Sequence, residues 1–512
     1  MVSVSVTPAT ATMLTCSTKA FSAGGASVTW SATDGTIDAS GNYTAPMKVG
    51  PDVTITATST VDTSVSGTAT VTLETANVGP KQIVVDAIDH YPDVWAHAVA
   101  SSGKVVYAAW GYGGNNDAPK VQVARSDDGG ATWGTPVTAS PAIGMTSDVS
   151  CIDLAIDAGD PNVVYVVFNF TAGSGLPGPY ANTADDQGLA LVVSTDGGKT
   201  FPTLKLLQTG NSSDPIPVAQ GICPDVASPK ADVVAVTTPG GSNESISAFL
   251  WVDASRGTGI GIAQADQWNM IASEETGALH AIGADIGQDG SEGDTTEAPQ
   301  LFSDGKGTLC VTYLADTPKG SGSPSSAIWL QCSKDLGQTF GGPTIVSPTF
   351  SYSEVHLGHP TGLFAPNGDI VVAWRGFGVE TAVGGTVPIA GTAISTDGGA
   401  TFTDISPAVL QDANSGITNA AGIGDIEMDD TGVLWRTYVV GDGLTSRIAV
   451  DKTCDLGKTW SGPQVINGSM GTTDDATLPM LVATPGGQVA VYASATGNAG
   501  ITYQMRRYTI AP

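Results

Sequence analysis

The chain has five histidines, and two of them, His356 and His359, stand close together beside groups that suit proton chemistry. Glu354 comes two residues before His356, and Arg375 follows on the next apolar run. A histidine or carboxyl can give and take a proton near neutral pH, and an arginine fork can hold an anion. Asp93 and Asp425 each follow a Pro or Gly at the start of an apolar segment. Paired carboxylates among Asp89, Asp93, Glu354 and Asp425 have the chemistry of an acid with a base or a nucleophile. Trp110, Tyr112, Tyr352 and His90 offer flat faces on which a sugar ring could stack. Acidic loops also suit a cation such as Ca²⁺, although a self-repelling soluble surface accounts for the same acidity.

These residues need a scaffold, and one octapeptide supplies its signature. It reads Ser126-Asp127-Asp128-Gly129-Gly130-Ala131-Thr132-Trp133. Copies return at Ser194–Phe201, Ser333–Phe340, Ser395–Phe402 and Thr453–Trp460. The pattern is S/T-x-D-x-G-x-T-W/F. Its physics is local: the Asp accepts N–H groups of a turn, the Gly takes positive φ, and the ring plugs a sheet end. The Asp-to-Asp steps are 68, 139, 62 and 58 residues, so the long step hides a decayed copy near Ser255–Gly259. Aligned strand starts at Pro92, Ile152, Pro224, Pro299, Pro360, Gly424 and Pro479 give seven repeats. The seventh has three strands and no octapeptide, and the segment 82–87 is expected to supply its fourth strand and close a ring.

The octapeptide resembles the Asp box, or BNR repeat, of sialidase-like β-propellers. The resemblance implies an all-β protein whose inner-strand starts share one face, the mouth, while the boxes mark the other. Seven blades follow from the repeat alignment; the sialidases of the family are six-bladed, which is the alternative count. Asp93, Asp153, Asp225 and Asp425 each follow an aligned start, so they fall at one height around the axis. Two readings stand for that ring: carboxylates that hold a cation or polarise a water, or acceptors that cap N–H groups of a neighbouring inner strand. The mouth is the expected site, with His356, His359, Glu354, Arg375, Asp93 and Asp425 as catalytic candidates. Trp110, Tyr112, Tyr352 and His90 are the substrate-binding candidates.

Asp-box propellers include sialidases, other glycosidases, some polysaccharide lyases and non-catalytic receptors. Sialidases hold a substrate carboxylate on three arginines. The arginines here are Arg125, Arg256, Arg375, Arg436, Arg447, Arg506 and Arg507, and only Arg375 and Arg447 map to the mouth, so no such triad can be assigned. The resemblance implies a secreted carbohydrate-active protein, first of all a glycoside hydrolase of sialidase-like architecture. The alternatives are a non-catalytic glycan- or protein-binding protein of the cell surface, and a polysaccharide lyase. The expected partner is a glycan or cell-surface ligand; no cofactor is assigned, and Ca²⁺ is the one that the acidic loops would suit.

Residues 1–76 read as a separate module and 77–512 as the propeller. In the former, Val2, Val4 and Val6 alternate with Ser3, Ser5 and Thr7, and Val53–Thr58 and Ala69–Leu73 alternate likewise, as half-buried strands do. The run Trp30–Pro46 resembles bacterial immunoglobulin-like domains of the group 2 type, which implies a β-sandwich spacer or stalk. The six cysteines contain no C-x-x-C pair, and so read as disulfides of an oxidising compartment rather than a zinc site. Cys310 and Cys332 are symmetric about a hairpin centred on residue 321. Cys151 and Cys223 share an aligned position in adjacent repeats and are a second candidate pair. Cys16 and Cys454 have no assignable pairing. The net charge of −29 repels nucleic acid and anionic membranes, and no run of 18 apolar residues, the length of a membrane span, occurs.

Overall fold

The computed structural model describes residues 2–86, 97–114, 117–140, 152–157, 159–171, 187–210, 231–237, 243–249, 269–272, 278–281, 296–304, 308–316, 325–334, 341–347, 350–351, 356–380, 386–409, 419–441, 446–468, 476–496 and 503–511. These residues are all-β, without a helix. None of them forms a helix long and apolar enough to cross a membrane.

The alternating residues of the N-terminal stretch form three small sheets. The largest pairs Thr10–Leu14 in parallel with Ser66–Glu74, which continues antiparallel to Val53–Ser59 and Val28–Ala32. Alternation sends Val53, Ile55 and Ala57 inward with Val71 and Leu73, where they meet Val6, Phe21 and Tyr43. The facing threonines stay nearer solvent, which is what a period of two dictates.

Seven antiparallel sheets follow among the described residues. Their first strands are His97–Ser102, Ile152–Ile156, Ala231–Thr237, Thr296–Ser303, His356–Phe364, Asn419–Met428 and Ala476–Thr484. Each first strand lies against the next, and the seventh lies against the first, so the sheets form a closed cycle. This is a propeller-type arrangement. Sheet seven is completed from the other end of the ring segment: Gln82–Asp86 and Asn77–Val78 both pair with the last strand, Tyr503–Ala511.

The octapeptides lie where the third strand turns toward the fourth. In the first, Asp128 accepts the Thr132 amide at 2.8 Å and the Thr132 hydroxyl at 2.6 Å, while Ser126 Oγ accepts the Gly130 amide at 2.8 Å. The same bonds recur around Asp196, Asp397 and Asp455. The second glycine has a further duty. Gly198, at φ 78°, sits so close to the preceding sheet that a Cβ there would come within 2.9 Å of the Tyr107 ring. The turn therefore also sets the spacing between sheets.

In sheet four, Cys310 stands opposite Cys332 in register and the two are bonded, with Cα atoms 4.1 Å apart. Cys16 and Cys454 form a second disulfide, between the N-terminal stretch and the box of sheet six. Cys151 and Cys223 lie outside the described residues.

Candidate functional site

Strand register gives a common ruler for the mouth. The first residue of each described box pairs with a second-strand residue: Ser126 with Val106, Ser194 with Val164, Ser333 with Leu309, Ser395 with Ile370 and Thr453 with Leu434. Four residues further along that strand stands an aromatic in every case: Trp110, Phe168, Tyr313, Trp374 and Tyr438. Trp110, Phe168, Trp374 and Tyr438 are all buried. Opposite this ring, on the first strand, lies the start of the repeat. It is Ile152 in sheet two and Ile423–Gly424 in sheet six. In sheets four and five the ring faces a bulge that holds Pro299 or Pro360. A proline lacks the N–H of a ladder bond, so it is tolerated where the ladder is interrupted.

The ruler corrects two expectations. In sheet one the residue opposite Trp110 is His97, so the repeat starts there and not at Pro92. Asp93 and His90 lie outside the described residues. Trp110 is 3% exposed and packs among Val99, Ala124, Val482, Tyr492 and Met505. It is a repeated core plug and presents no face to a sugar.

Asp425 does keep its aligned place, and its bonds favour the capping reading. Its Oδ2 accepts the Leu481 amide of the neighbouring inner strand at 2.9 Å, and its Oδ1 accepts the Ile426 amide at 2.9 Å. Sheet four uses the same device with a neutral side chain, since Gln300 Oε1 accepts the Gly362 amide of sheet five at 2.9 Å. An amide oxygen doing the same work shows that the position needs an acceptor rather than a charge.

Sheet five brings other candidates together. His356 pairs with Phe377, Gly358 pairs with Arg375, and the bulge that follows contains His359. The backbone thus sets two histidines and an arginine at one end of one strand pair. Glu354 and Tyr352 lie just ahead of His356, outside the described residues. Tyr112 pairs with Lys120 toward the same end of sheet one.

Most described arginine side chains are committed to the scaffold. Arg436 makes a buried two-pronged pair with Asp451 at 2.6 and 2.7 Å. Arg507 donates to the Gly129 carbonyl at 2.7 Å and to Gln82 at 3.0 Å. Arg125 bonds Asp127, the Tyr107 hydroxyl and Asn162. Arg447 and Arg506 are fully buried. Among the described side chains, no three arginines are left to share a ligand carboxylate, and no group of three His, Cys, Asp or Glu could hold a metal ion.

One carboxyl of the sixth repeat, Glu427, falls with Asp425 and Arg447 at the mouth by sequence but is not among the catalytic candidates. Glu427 lies two residues beyond Asp425 on the same side of the sheet-six inner strand and is partly buried. Burial pushes it up to about 8, helped by Asp425 and Asp429 on either side of it. Asp429 is held by the Thr431 and Val433 amides and the Trp435 indole N–H. The strand Asn419–Met428 puts Asp425 and Glu427 on one side, and Asp429 follows its end. The box carboxylates lie at the other extreme: Asp128, Asp196 and Asp397 are held down to about 2, chiefly by the hydroxyls of Thr132, Thr200 and Thr401.

No protein-family model and no curated protein matches the chain. Solved structures do. A polysaccharide lyase of family PL25, an ulvan lyase bound to -[GlcA(1-4)Rha3S]-, aligns with a TM-score of 0.51 at 11% identity, over 83% of this chain and 95% of that one. An α-L-arabinofuranosidase of family GH93 from Fusarium graminearum, in complex with arabinobiose, aligns with a TM-score of 0.43 at 11% identity, over 84% of this chain and 97% of that one. A leech intramolecular trans-sialidase aligns with a TM-score of 0.38 at 12% identity, over 85% of this chain and 70% of that one. At 11% identity the likeness to the lyase is one of fold.

Proposed function

We propose that this chain is an extracellular carbohydrate-active protein, with an immunoglobulin-like module at 1–76 and a seven-bladed Asp-box propeller at 77–512, and that it binds a glycan over the mouth. The observation that carries the site is the register of sheet five, which sets His356, His359 and Arg375 at one end of one strand pair. Proton-transfer groups and an anion-binding fork on a rigid strand pair are what a reaction at a sugar requires. Two disulfides fit an oxidising compartment.

Of the reactions weighed from the sequence, uronate elimination now suits the residues better than hydrolysis. Hydrolysis needs two carboxyls facing one sugar. Asp425 is engaged through both oxygens. Elimination needs a base for the proton next to the uronate carboxylate, a cation on that carboxylate, and an acid for the departing oxygen. His356, His359 and Arg375 are of those types, with Tyr352 and Glu354 adjacent. The base takes the ring proton, the electron pair forms the ring double bond, and the glycosidic oxygen leaves with a proton. The net charge of −29 works against a dense polyanion, so a sparsely charged, uronate-containing glycan is the proposed substrate.

The test is turnover on a panel of uronate-containing and neutral glycans, read by the ultraviolet absorbance of an unsaturated uronate and by new reducing ends. Elimination gives both signals and takes no oxygen from isotopically labelled water. Reducing ends without absorbance, and with label incorporated, would establish hydrolysis instead. Binding without either signal would establish a non-catalytic glycan receptor. His356→Ala and Arg375→Ala should abolish turnover without moving the melting temperature.

A further inference from the structure

The ring closes without a covalent bond of its own. Sheet seven joins Gln82–Asp86 and Asn77–Val78 to Tyr503–Ala511, and the Gly79 amide adds a bond to the Thr509 carbonyl at 2.7 Å. Gln82 continues the seam, donating to the Ala131 carbonyl of the first box at 2.7 Å and accepting from Arg507. Everything that holds the two chain ends together here is a hydrogen bond or a packed side chain.

The N-terminal residues lie across the neighbouring sheets. Cys16 is bonded to Cys454, with Cα atoms 5.7 Å apart and a sequence separation of 438. Cys454 is the variable second residue of the sheet-six box, a position filled by Asp127, Thr195 and Thr396 in other boxes. Next to the bridge, Lys452 Nζ reaches out of sheet six to the Thr15 carbonyl at 3.0 Å, in a buried bond. The Lys452 ammonium lies 5.1 Å from the centre of the Trp435 ring. Cys16 and Ala76 are buried in one apolar cluster with Val433, Trp435, Leu481 and Tyr508 of sheets six and seven. Met47 receives the Thr459 hydroxyl of the same box.

We infer that the N-terminal module is a brace across the seam of the ring, with the Cys16–Cys454 bridge as its clasp. The chain from Cys16 runs through Asn77–Asp86, around sheets one to six, and back to Cys454. The bridge makes that path a covalent loop, so the strands that complete sheet seven are tethered to sheet six even when their hydrogen bonds open. A stalk that swings freely on a linker would not be bonded to, and buried against, the sheets beside the seam.

The experiment is hydrogen exchange on the full chain, comparing native protein with Cys16→Ser/Cys454→Ser, and with native protein reduced under mild conditions and alkylated. In the reduced sample the Cys310–Cys332 bridge, with Cys310 buried and Cys332 partly buried, is checked by mass and must remain intact. The expected result is faster exchange in 77–86 and 503–511, by about tenfold or more in the opening equilibrium, with 164–171 of sheet two unchanged. Faster exchange confined to residues 2–74, or no change at all, would overturn the brace. Equal acceleration in every sheet would overturn it too, because the bridge would then be a general stabiliser and not a clasp on the seam. The reduced native protein keeps the test valid if the double variant does not fold.

Discussion

The buried pair Arg436–Asp451 allows a prediction with a magnitude. The two side chains are 1% and 2% exposed, the guanidinium grips both carboxylate oxygens, and its other face lies 3.6 Å from the centre of the Trp460 ring. Asp451→Asn keeps the shape and removes the charge, which strands the guanidinium in a dry environment. Breaking a buried pair in this way costs about 3–5 kcal/mol. A ring of this size unfolding as one unit has an unfolding entropy of roughly 0.9 kcal/mol per degree, from about 2.1 cal/mol/K per residue, so the melting temperature should fall by about 3–6 °C. Arg436→Met should cost as much or more, since it strands the carboxylate and removes the stacking on Trp460. The double change Arg436→Met/Asp451→Leu deletes both desolvation penalties together and should return close to the parent. Calorimetry of these proteins, with Asp451→Leu added as the matching single change, closes the cycle. Additive losses in the double variant, or single losses below about 1 kcal/mol, would refute the claim that this arginine is held by its partner.

Three further outcomes follow from other residues. Trp110→Ala should cost about 3–5 kcal/mol as a core truncation, while the glycan dissociation constant of the folded fraction stays unchanged in titration calorimetry. The boxes should make the protein acid-sensitive: Asp128, Asp196 and Asp397 are held down to about 2, so their contribution is complete above the ordinary 3.8 and is lost as pH falls toward 2. A melting-temperature profile should show that loss, and Asp397→Ala should flatten its share of it. Glu427 works the other way: raised to about 8, it contributes fully below its ordinary 4.5 and loses that contribution as pH rises through about 8. Glu427→Gln should therefore gain in melting temperature over the native protein at the alkaline end of the same profile.

The fold class was legible because the octapeptide is a local device. Its Asp, Gly and aromatic act within eight residues, so its recurrence marks sheet after sheet without reference to distant contacts. The position of a residue within a sheet was less legible. Counting from prolines failed in sheet one, where Ser102 and Val105 face each other across a tight turn, whereas Phe364 and Ile370 are separated by a longer one. The start there is His97, which no proline marks. Trp110 read as a rim residue for the same reason; only its distance from the Ser126 pairing shows that it belongs with Trp374 and Tyr438 in the core. Cys16 and Cys454 could not be paired from sequence, since no hairpin symmetry relates residues on different sheets. His356 and Arg375 were singled out by type and by their place at the start of the fifth repeat, and the register His356↔Phe377 and Gly358↔Arg375 puts them on one strand pair.

The bulges at the starts of inner strands have a consequence for how such a protein can change over generations. Strand alternation is unforgiving, since adding one residue ahead of a regular strand would turn every inward side chain outward. A bulge absorbs one extra residue and restores the phase on its far side. Sheets four, five, six and seven each carry one at the same height, at Pro299, Pro360, Gly424 and Pro479. Insertions and deletions upstream of these points are insulated from the packed layers below. The segments ahead of these strands can thus diverge in length and composition while the ring itself is inherited unaltered.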